Sequence, residues 1–210
     1  MQKPLILVGG GGHCQSVIEA AESEGREILG VLEIPSELGK EVLPGHIVIG
    51  CDADMPNYID KADFINTIGF ITTPALRLKV SQKIEDAKGT LSTVIASTAN
   101  VSRYAEIGKG TVILHHAAIN AAAIIGDNCI INTSANIEHA CLIGNQTHVS
   151  TGVMINGDCK IGCQCFIGSG SIIAHGVTIC NNTIIGCGTV VIHDITEPGL
   201  YVGSPARRIK

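Results

Sequence analysis

The sequence predicts two structural units, an α/β unit with a parallel sheet and, after it, a parallel β-helix. The β-helix is indicated by a strict period of six, because every sixth residue from Ile95 to Val191 is isoleucine or valine. This period fits neither a helical turn nor a heptad, although it is a multiple of the strand period of two. It is typical of hexapeptide repeats, in which short strands stack coil on coil. The α/β unit is indicated by short apolar strands that alternate with helical segments before the repeat begins.

The α/β unit is expected to span residues 1–90. Its predicted strands are Leu5–Val8, Ile28–Glu33, Ile47–Ile49 and Phe64–Ile68. A first helix should follow the glycines at positions 9–12 and end at Gly25, with Val17, Ala20, Ala21 and Glu24 along it. A second helix should have Thr73 as its cap, Pro74 at its first position, the apolar face Leu76, Val80 and Ile84, and Gly89 after its end. Alternating strands and helices favour a doubly wound, Rossmann-like arrangement.

The β-helix is expected over residues 91–195, with a tail at 196–210. Three hexads per coil would give between five and six coils from the Ile/Val series, stacked at the ordinary spacing between strands. After Val191 the repeat ends and the sequence becomes rich in turn residues, as in Glu197-Pro198-Gly199.

Composition excludes several classes of protein. Hydrophobic residues make up 45% of the chain and charged residues 16%, which supports a buried core and argues against disorder. The formal net charge is −5, so a nucleic-acid partner held by a basic surface is not expected. No apolar run is long enough to span a membrane, and the first residues enter a strand rather than a signal peptide. We therefore expect a cytoplasmic protein with no membrane partner.

The nine cysteines are explained mainly by the repeat. Four of them lie two residues before a member of the Ile/Val series, where other hexads have alanine or threonine: Cys129, Cys141, Cys159 and Cys165. These are expected to be small core residues with free thiols. The group Cys159, Cys163 and Cys165 resembles a metal motif, but the period already explains two of the three. No metal site is predicted.

The glycine run at positions 9–12 is a candidate phosphate site. It follows a strand and opens a helix, so the backbone can approach a phosphate and the helix N-terminus favours negative charge. Glu33, at the end of the second strand, is placed to accept a hydroxyl group of a ribose or a related ring. A nucleotide or nucleotide-sugar is favoured over a redox dinucleotide, because the unit is too short for a whole Rossmann domain. A simple strand-to-helix turn is the alternative.

Two histidines of the β-helix are the best catalytic candidates. His139 and His148 lie within two successive hexads at positions that do not fill the core. A coil wall has no cavity of its own, so a site should form on outward turn residues between neighbouring subunits. His139 is predicted to be a general base that removes a proton from an attacking amine or hydroxyl. The alternative is a solvent-facing turn histidine. His115, His116, His175 and His193 are expected to be surface or interface residues.

An ordered set of motifs makes the chain recognisable. The set consists of the Gly9–His13 loop, Asn132-Thr133-Ser134, Ile137-Glu138-His139, His148-Val149-Ser150 and the ending Val202-Gly203-Ser204-Pro205-Ala206. Over essentially its whole length the sequence resembles the sugar O/N-acyltransferase family, which includes the sialic acid O-acetyltransferase and bacillosamine N-acetyltransferase types. The hexads alone are shared with many acyltransferases, so the order of the motifs carries the specificity.

The resemblance implies a fold, an assembly and a set of site residues. It implies a left-handed β-helix, which is an exception to right-handed crossovers, and a homotrimer with acetyl-CoA in the groove between adjacent helices. His139 would be the general base, and His148 would lie beside the thioester. The residues implied for the coenzyme are His148, Gly157, Ser169, Cys187, Arg207 and Arg208, with Lys210 in the same basic tail. For this tail, a simple solvated C-terminus is the alternative. The residues implied for the nucleotide-sugar are Gly11, Gly12, His13, Glu33, Gly69 and Asn132.

The sequence departs from the family pattern at two places. The family commonly has glutamate or aspartate directly after the base histidine, where it orients the ring, and this chain has Ala140. The second strand usually ends in an acidic pair, and here it ends in Glu33-Ile34. The first departure leaves open which group orients His139, and the second leaves open the contacts of the nucleotide there.

The leading hypothesis is an acetyl-CoA-dependent N-acetyltransferase acting on a nucleotide-linked 4-amino-4,6-dideoxy sugar in bacterial surface-glycan biosynthesis. An O-acetyltransferase of a sialic-acid-like sugar is the alternative within the same class. From other classes, a zinc protein of the γ-carbonic anhydrase type and a non-catalytic β-helix remain. The zinc alternative leaves the glycine loop and the α/β unit unexplained.

Overall fold

The computed structural model, which describes residues 2–210, contains an N-terminal five-stranded sheet of order β3-β4-β2-β1-β5. Its strands are β1 (Leu5–Val8), β2 (Ile28–Leu32), β3 (Glu41–Leu43), β4 (His46–Gly50) and β5 (Asp63–Asn66). All neighbours are parallel except β3 and β4, which form an antiparallel pair at the edge. Strand β3 was not predicted, and the other four lie where the sequence places them. The carboxyl ends of the parallel strands therefore share one edge of the sheet.

Two α-helices pack on opposite faces of this sheet, which confirms the Rossmann-like arrangement. Helix α1 (Gly12–Ser23) packs on the face that contains Leu5 and Leu7. Helix α2 (Ala75–Asp86) packs on the face that contains Ile6 and Val8. Two short 3-10 helices, Pro35–Glu37 and Asp52–Asn57, follow β2 and β4.

The predicted face of α2 is wrong in its first turn. Leu76 is 59% exposed, whereas the neighbouring Arg77 is fully buried together with Val80 and Ile84. The helix also starts one residue later than predicted, at Ala75, whose N–H is bound by the Thr73 hydroxyl at 3.3 Å. The prediction was wrong because the Arg77 side chain donates hydrogen bonds to backbone carbonyls inside the protein. A pattern of apolar residues does not indicate such hydrogen bonds.

From Val94 onward the chain forms a parallel β-helix with three faces. Each strand pairs with the strand 18 residues further along, as Ile113 pairs with Ile131, which confirms three hexads per coil. Face 1 contains β6 (Val94–Ile95), β9 (Val112–Ile113), β12 (Ile130–Ile131), β15 (His148–Val149), β18 (Phe166–Ile167) and β21 (Ile184–Ile185). Face 2 contains β7 (Asn100–Val101), β10 (Ala118–Ile119), β13 (Asn136–Ile137), β16 (Met154–Ile155), β19 (Ile172–Ile173) and β22 (Val190–Val191). Face 3 contains β8 (Glu106–Ile107), β11 (Ile124–Ile125), β14 (Leu142–Ile143), β17 (Lys160–Ile161) and β20 (Thr178–Ile179).

The second residue of each two-residue strand points into the lumen, and the predicted core cysteines fill the same space. Cys129, Cys141, Cys159 and Cys165 are all fully buried in one cluster with the Ile/Val series, and all nine cysteines are free. Their thiols donate to carbonyls of the next coil, as Cys141 Sγ does to the Asn156 carbonyl at 3.1 Å. The repeat thus uses these residues for packing and local hydrogen bonds.

The C-terminal tail contains more regular secondary structure than the sequence predicts. Strands β23 (Leu200–Val202) and β24 (Arg207–Arg208) extend face 1 as an antiparallel pair after β21. The tail therefore pairs with the last coil of the β-helix.

The two units pack against each other through α1 and face 1. Val94, Val112 and Leu114 of the first coils are buried in the same cluster as Val17 and Ile18 of α1. At the other end of the sheet strands, Arg26 donates to the Lys3 carbonyl at 2.9 Å and to the Ser92 hydroxyl at 3.2 Å. Within residues 2–210, none of the helices has the length and apolarity needed to cross a bilayer.

Candidate functional site

The glycine loop leaves an open helix N-terminus at the carboxyl edge of the sheet. Gly11 is the N-cap of α1 and Gly12 its first residue, and a Cβ atom at either would meet nothing within 4 Å. Gly9 is required as glycine, since its φ is +111° and a Cβ atom would lie 2.3 Å from Ile68 Cδ1. Exposed N–H groups at the start of a helix suit a phosphate group. Gly11 and Gly12 thus lie where the sequence predicts a phosphate contact.

Glu33 binds this loop directly. Its carboxylate accepts hydrogen bonds from the N–H groups of Gly10 at 2.5 Å and Ile34 at 2.9 Å. The carboxylate therefore fixes the strand-to-helix turn as well as lying at the end of β2, where an acceptor for a ring hydroxyl is predicted.

A groove of about 720 Å³ runs along the same edge of the sheet. Its walls are mainly apolar and include Ile34, Ile68 and Leu76, and Glu33 also lines it. Asp52 and Lys83, which form an ion pair, add polar groups to the lining. A groove of this size and character can hold a nucleotide-sized ligand.

His148 is not an outward turn residue as predicted, because it lies on strand β15 and is only 7% exposed. Segment 67–70, which leaves the sheet after β5, covers it. The His148 ring packs edge-on against Phe70 and Phe166, with ring centroids 5.6 and 5.2 Å away. Its Nδ1 lies 2.9 Å from the Phe70 carbonyl and its Nε2 lies 3.2 Å from Asn132 Nδ2. The site at His148 therefore includes residues of both units of the same chain.

His13 lies next to His148, and the two residues form a pair of neutral histidines. Its ring centroid is 6.4 Å from that of His148, and Gly69 lies directly against its Cβ. Burial lowers the pKa of His13 to about 3, helped by the positive charge of Arg77 and by His148. Burial and Arg77 also lower the pKa of His148 to about 4, although the Phe70 carbonyl opposes this. His13 Nε2 is buried without a partner among residues 2–210, so it is free to bind a ligand atom.

Three predicted residues lie along the edge between faces 1 and 2. Asn132, Ser169 and Cys187 all follow face 1 strands, and the last two occupy equivalent turn positions one coil apart. Ser169 Oγ is 2.9 Å from Ser150 Oγ, and Cys187 is exposed. This edge lies next to His148, so it can accommodate an extended ligand that reaches the histidine pair.

His139 lies on a different edge, in the turn between faces 2 and 3, and it is exposed. Its ring lies over Gly157, where a Cβ atom would come within 2.5 Å of His139 Cε1. His175 lies one coil after Gly157, and its ring centroid is 6.4 Å from that of His139. The structure thus brings His139 and Gly157 together, but it does not bring them to Asn132, Ser169 and Cys187 within one chain.

The structure also shows why Glu138 does not orient His139. The Glu138 carboxylate accepts a hydrogen bond from Asn136 Nδ2 at 3.1 Å, which is on the outward side of β13. Ala140 occupies the left-handed position of the turn, with φ +57°, and donates its N–H to the Ala121 carbonyl. Neither neighbour of His139 supplies an acceptor for its ring.

In the basic tail, Arg208 is engaged by neighbouring groups, whereas the side chain of Arg207 makes no hydrogen bond or ion pair within the described residues 2–210. Arg208 Nη1 pairs with Glu197 Oε2 at 2.7 Å and its Nη2 donates to the Pro198 carbonyl. Both arginines are exposed and lie at the end of the β-helix that follows Cys187. Among residues 2–210, no group of three or more His, Cys, Asp or Glu side chains is arranged to hold a metal ion.

Sequence reasoning missed Phe70, Phe166 and Arg77. Phe166 has a weak signal, since an aromatic ring occupies an outward strand position in a chain with only three phenylalanines. Phe70 and Arg77 have none, because their partners lie more than 50 residues away along the chain, at His148 and Asn128.

Two family models match the chain: the PglD N-terminal domain over residues 4–84 and the bacterial transferase hexapeptide (six repeats) over residues 158–193. PerB from Caulobacter crescentus, solved in complex with CoA and GDP-perosamine, is 30% identical, with a TM-score of 0.90 over 99% of this chain and 97% of that one. The acetyltransferase domain of PglB from Neisseria gonorrhoeae, in complex with acetyl coenzyme A, is 26% identical, with a TM-score of 0.91 over 100% of both chains. WeeI from Acinetobacter baumannii shares the fold, at 20% identity and a TM-score of 0.87 over 98% and 99%. No curated protein matches the chain.

The similarity to PerB extends over nearly the whole of both chains, and the two family models cover both structural units. The coils are accordingly those of a left-handed β-helix. The chain therefore belongs to the sugar O/N-acyltransferase family, and it is an acyltransferase.

Proposed function

We propose that this protein is an acetyl-CoA-dependent N-acetyltransferase that acts on a nucleotide-linked 4-amino-4,6-dideoxy sugar, with His139 as the general base. The observation that carries the proposal is the groove of about 720 Å³ beside an open helix N-terminus, on a chain whose other half is an acyltransferase β-helix. PerB, which is 30% identical, holds CoA and GDP-perosamine, an amino-sugar nucleotide. This supports the substrate class for the present chain.

The nucleotide-sugar would bind in the groove with its phosphates at Gly11 and Gly12. A Cβ atom at either glycine would meet nothing within 4 Å, so the approach to the start of α1 is open, and this end of the helix favours negative charge. Glu33 would accept a hydrogen bond from a ring hydroxyl group of the ligand. The sugar would then reach His13, Gly69 and Asn132, where the free His13 Nε2 and the Asn132 amide supply polar contacts.

Acetyl-CoA would bind along the edges of the β-helix, at Gly157 on one chain and at Ser169 and Cys187 on another. These residues lie on different edges of one β-helix, so a single groove can contain all of them only between subunits. His148 would lie beside the thioester, and Arg207 and Arg208 would meet the phosphates of the coenzyme. No metal ion takes part in this scheme.

A homotrimer is part of the proposal. Apolar side chains on both sides of the His139 edge are solvent-exposed in the single chain: Ile124 and Leu142 on face 3 and Met154 and Ile172 on face 2. Neighbouring subunits would cover these side chains. The same contact would bring His139 of one chain to the acceptor residues near His148 of the next.

In the reaction, the neutral amine attacks the thioester carbonyl and forms the new C–N bond. His139 accepts the proton that the amine loses, because an imidazole can act as a base near neutral pH. The C–S bond then breaks, and the proton passes to the leaving thiolate, so the products are the N-acetyl sugar and coenzyme A. Backbone N–H groups can stabilise the developing oxyanion.

The test is an assay of thiol release from acetyl-CoA with UDP-, dTDP- and GDP-linked 4-amino-4,6-dideoxy sugars and with a CMP-linked sialic acid. We expect release with an amino sugar and a fall in kcat of about 10² to 10⁴ in His139→Ala, with coenzyme A affinity nearly unchanged. His193→Ala is the matched control, since His193 is an exposed histidine on the same edge of the β-helix. Full turnover by His139→Ala would remove His139 as the base. Release only with the sialic acid would replace N-acetylation by O-acetylation.

A further inference from the structure

Arg77 is a fully buried arginine whose charge has no carboxylate partner within residues 2–210. Its side chain makes four hydrogen bonds, and all of them end on backbone carbonyls. Burial lowers the pKa of Arg77 to about 10, so the guanidinium is still charged at neutral pH. Burying a charged group without an opposite charge is costly, so its partners indicate what the charge does.

These partners belong to both units of the chain. Arg77 Nη1 donates to the carbonyls of Asn66 at 2.9 Å and Ile68 at 2.7 Å, at the carboxyl edge of the sheet. Nε and Nη2 donate to the carbonyl of Asn128, in the turn between faces 3 and 1, at 3.2 and 3.0 Å. The Asn66 side chain ties the same segment to α2, because its Nδ2 donates to the Arg77 carbonyl and the Ser81 hydroxyl. A planar guanidinium with a fork of donors can hold these groups at once.

The segment that Arg77 fixes ends at Phe70, whose carbonyl determines the tautomer of His148. A carbonyl can only accept, so His148 Nδ1 must carry the hydrogen, at 2.9 Å from the Phe70 oxygen. In the neutral ring, Nε2 is then an acceptor for the Asn132 amide at 3.2 Å. The Thr133 N–H donates to Asn132 Oδ1 at 2.8 Å, which is consistent with the amide NH₂ facing His148. The direction of the Asn132 amide thus depends on the position of Phe70.

We propose that Arg77 is a positioning residue for the acceptor site: by joining Asn66 and Ile68 to Asn128, it places the Phe70 carbonyl that orients His148 and, through it, the Asn132 amide. The proposal deepens the proposed function and rests on it, because Asn132 is assigned there to the sugar. The positive charge of Arg77 also favours neutral rings at His13 and His148, in keeping with their lowered pKa values.

The test compares Arg77→Lys with Arg26→Lys. Lysine keeps the charge but has a single nitrogen, which cannot reach Asn128 and the segment 66–68 together. Arg26 is the matched control because it is also buried and also joins the two units, at the opposite end of the sheet strands. We expect Arg77→Lys to raise the KM for the amino-sugar nucleotide about tenfold and the KM for acetyl-CoA by a smaller factor, because His148 is only one of several proposed contacts of the coenzyme. Arg26→Lys should lower the melting temperature without changing either KM.

The tautomer of His148 gives a readout that needs no turnover, and its first measurement needs only the wild-type protein. Nitrogen and carbon chemical shifts of the His148 ring in the wild-type protein should show the Nδ1–H form throughout the neutral pH range. In Arg77→Lys they should show a mixture of tautomers, and in Arg26→Lys the wild-type form. An Nε2–H ring in the wild-type protein would overturn the inference, as would equal KM values for Arg77→Lys and the wild type. A wild-type protein without any acetyl transfer would instead refute the proposed function and leave the tautomer result standing.

Discussion

At the scale of single residues, Gly157 shows how the absence of a side chain defines a site. Its position one coil after His139 would bring a Cβ atom to 2.5 Å from Cε1 and 2.6 Å from Nε2 of the imidazole. His175 occupies the equivalent turn position one coil after Gly157, and its ring centroid is 6.4 Å from that of His139. The His139 ring therefore occupies the space that a side chain at position 157 would take.

Gly157→Ala should therefore displace the ring of His139, the proposed general base. Since a misplacement of about 1 Å can lower a rate up to a hundredfold, we expect kcat to fall about tenfold to a hundredfold. The measurement is a double-mutant cycle with His139→Ala, in which Gly157→Ala should cause no further loss of rate. If Gly157→Ala instead weakened coenzyme A binding equally in both backgrounds, its main contact would be with the coenzyme and not with His139.

Residue environments were predictable from the sequence where the period determines them. Cys141 and Cys159 are buried as the repeat predicts, because a fixed period places each residue relative to the lumen. The environment of His148 was not predictable in this way. It lies on a strand position that faces outward, and it is covered by the packing of Phe70, 78 residues earlier, together with Phe166.

At the scale of elements, the prediction succeeded where secondary structure has a strong local pattern. The strands of the β-helix and the sheet strands β1, β2, β4 and β5 have clear apolar patterns. Strand β3 and the pair β23 and β24 do not, because they are short edge elements whose pairing partners decide their conformation. The face of α2 was misread because its buried residue is an arginine.

The three faces of the β-helix differ in their outward side chains, and this carries a prediction about assembly. Leu142, on the outward side of face 3, is 40% exposed in the single chain. If subunits meet along the His139 edge, Leu142→Glu would bury a charge in an apolar contact, which is unfavourable. We expect this variant to sediment as a single chain and to lose acetyl transfer, and we expect the wild-type protein to sediment as a trimer.

Leu38→Glu is the control for this experiment. Leu38 is also an exposed leucine, at 62%, but it lies in the α/β unit. The variant should assemble and turn over like the wild-type protein. Normal assembly of Leu142→Glu would contradict the trimer contact proposed here, and dissociation of both variants would show that the effect is not specific to face 3.

At the scale of the whole molecule, the sequence indicated two units but not how they combine. Face 1 has apolar outward residues, such as Val112, Ile130 and Phe166, and all three are buried. This excess of apolar side chains was visible in the hexads and indicates a covered face. Which residues cover it depends on contacts between distant parts of the chain, such as Arg77 with Asn128. The histidine pair is a product of this packing, so it could not be derived from local pattern.

The burial of this pair predicts how the stability of the molecule depends on pH. The pKa of His148 is lowered from 6.5 to about 4, mainly by burial. Above about pH 6.5 the ring is neutral in both the folded and the unfolded chain, so it causes no pH dependence. Between about pH 6.5 and the folded pKa, the unfolded chain binds a proton that the folded chain does not. The free energy of unfolding should therefore decrease as the pH is lowered through this window, by on the order of 3 kcal/mol in total for this ring. His13, whose pKa is lowered to about 3, acts in the same direction.

The measurement is denaturant unfolding at about pH 7.5 and about pH 5, above and inside the window between the ordinary pKa of histidine and the lowered pKa of His148. The wild-type protein should lose more stability over this interval than His148→Asn, which has no ring to protonate at that position. His193→Asn is the matched control and should follow the wild-type protein, because it removes a histidine ring that is already exposed to solvent in the folded chain. Parallel pH dependences for the wild type and His148→Asn would show that His148 does not resist protonation in the folded chain. Such a result would also remove the neutral acceptor Nε2 on which the orientation of Asn132 depends.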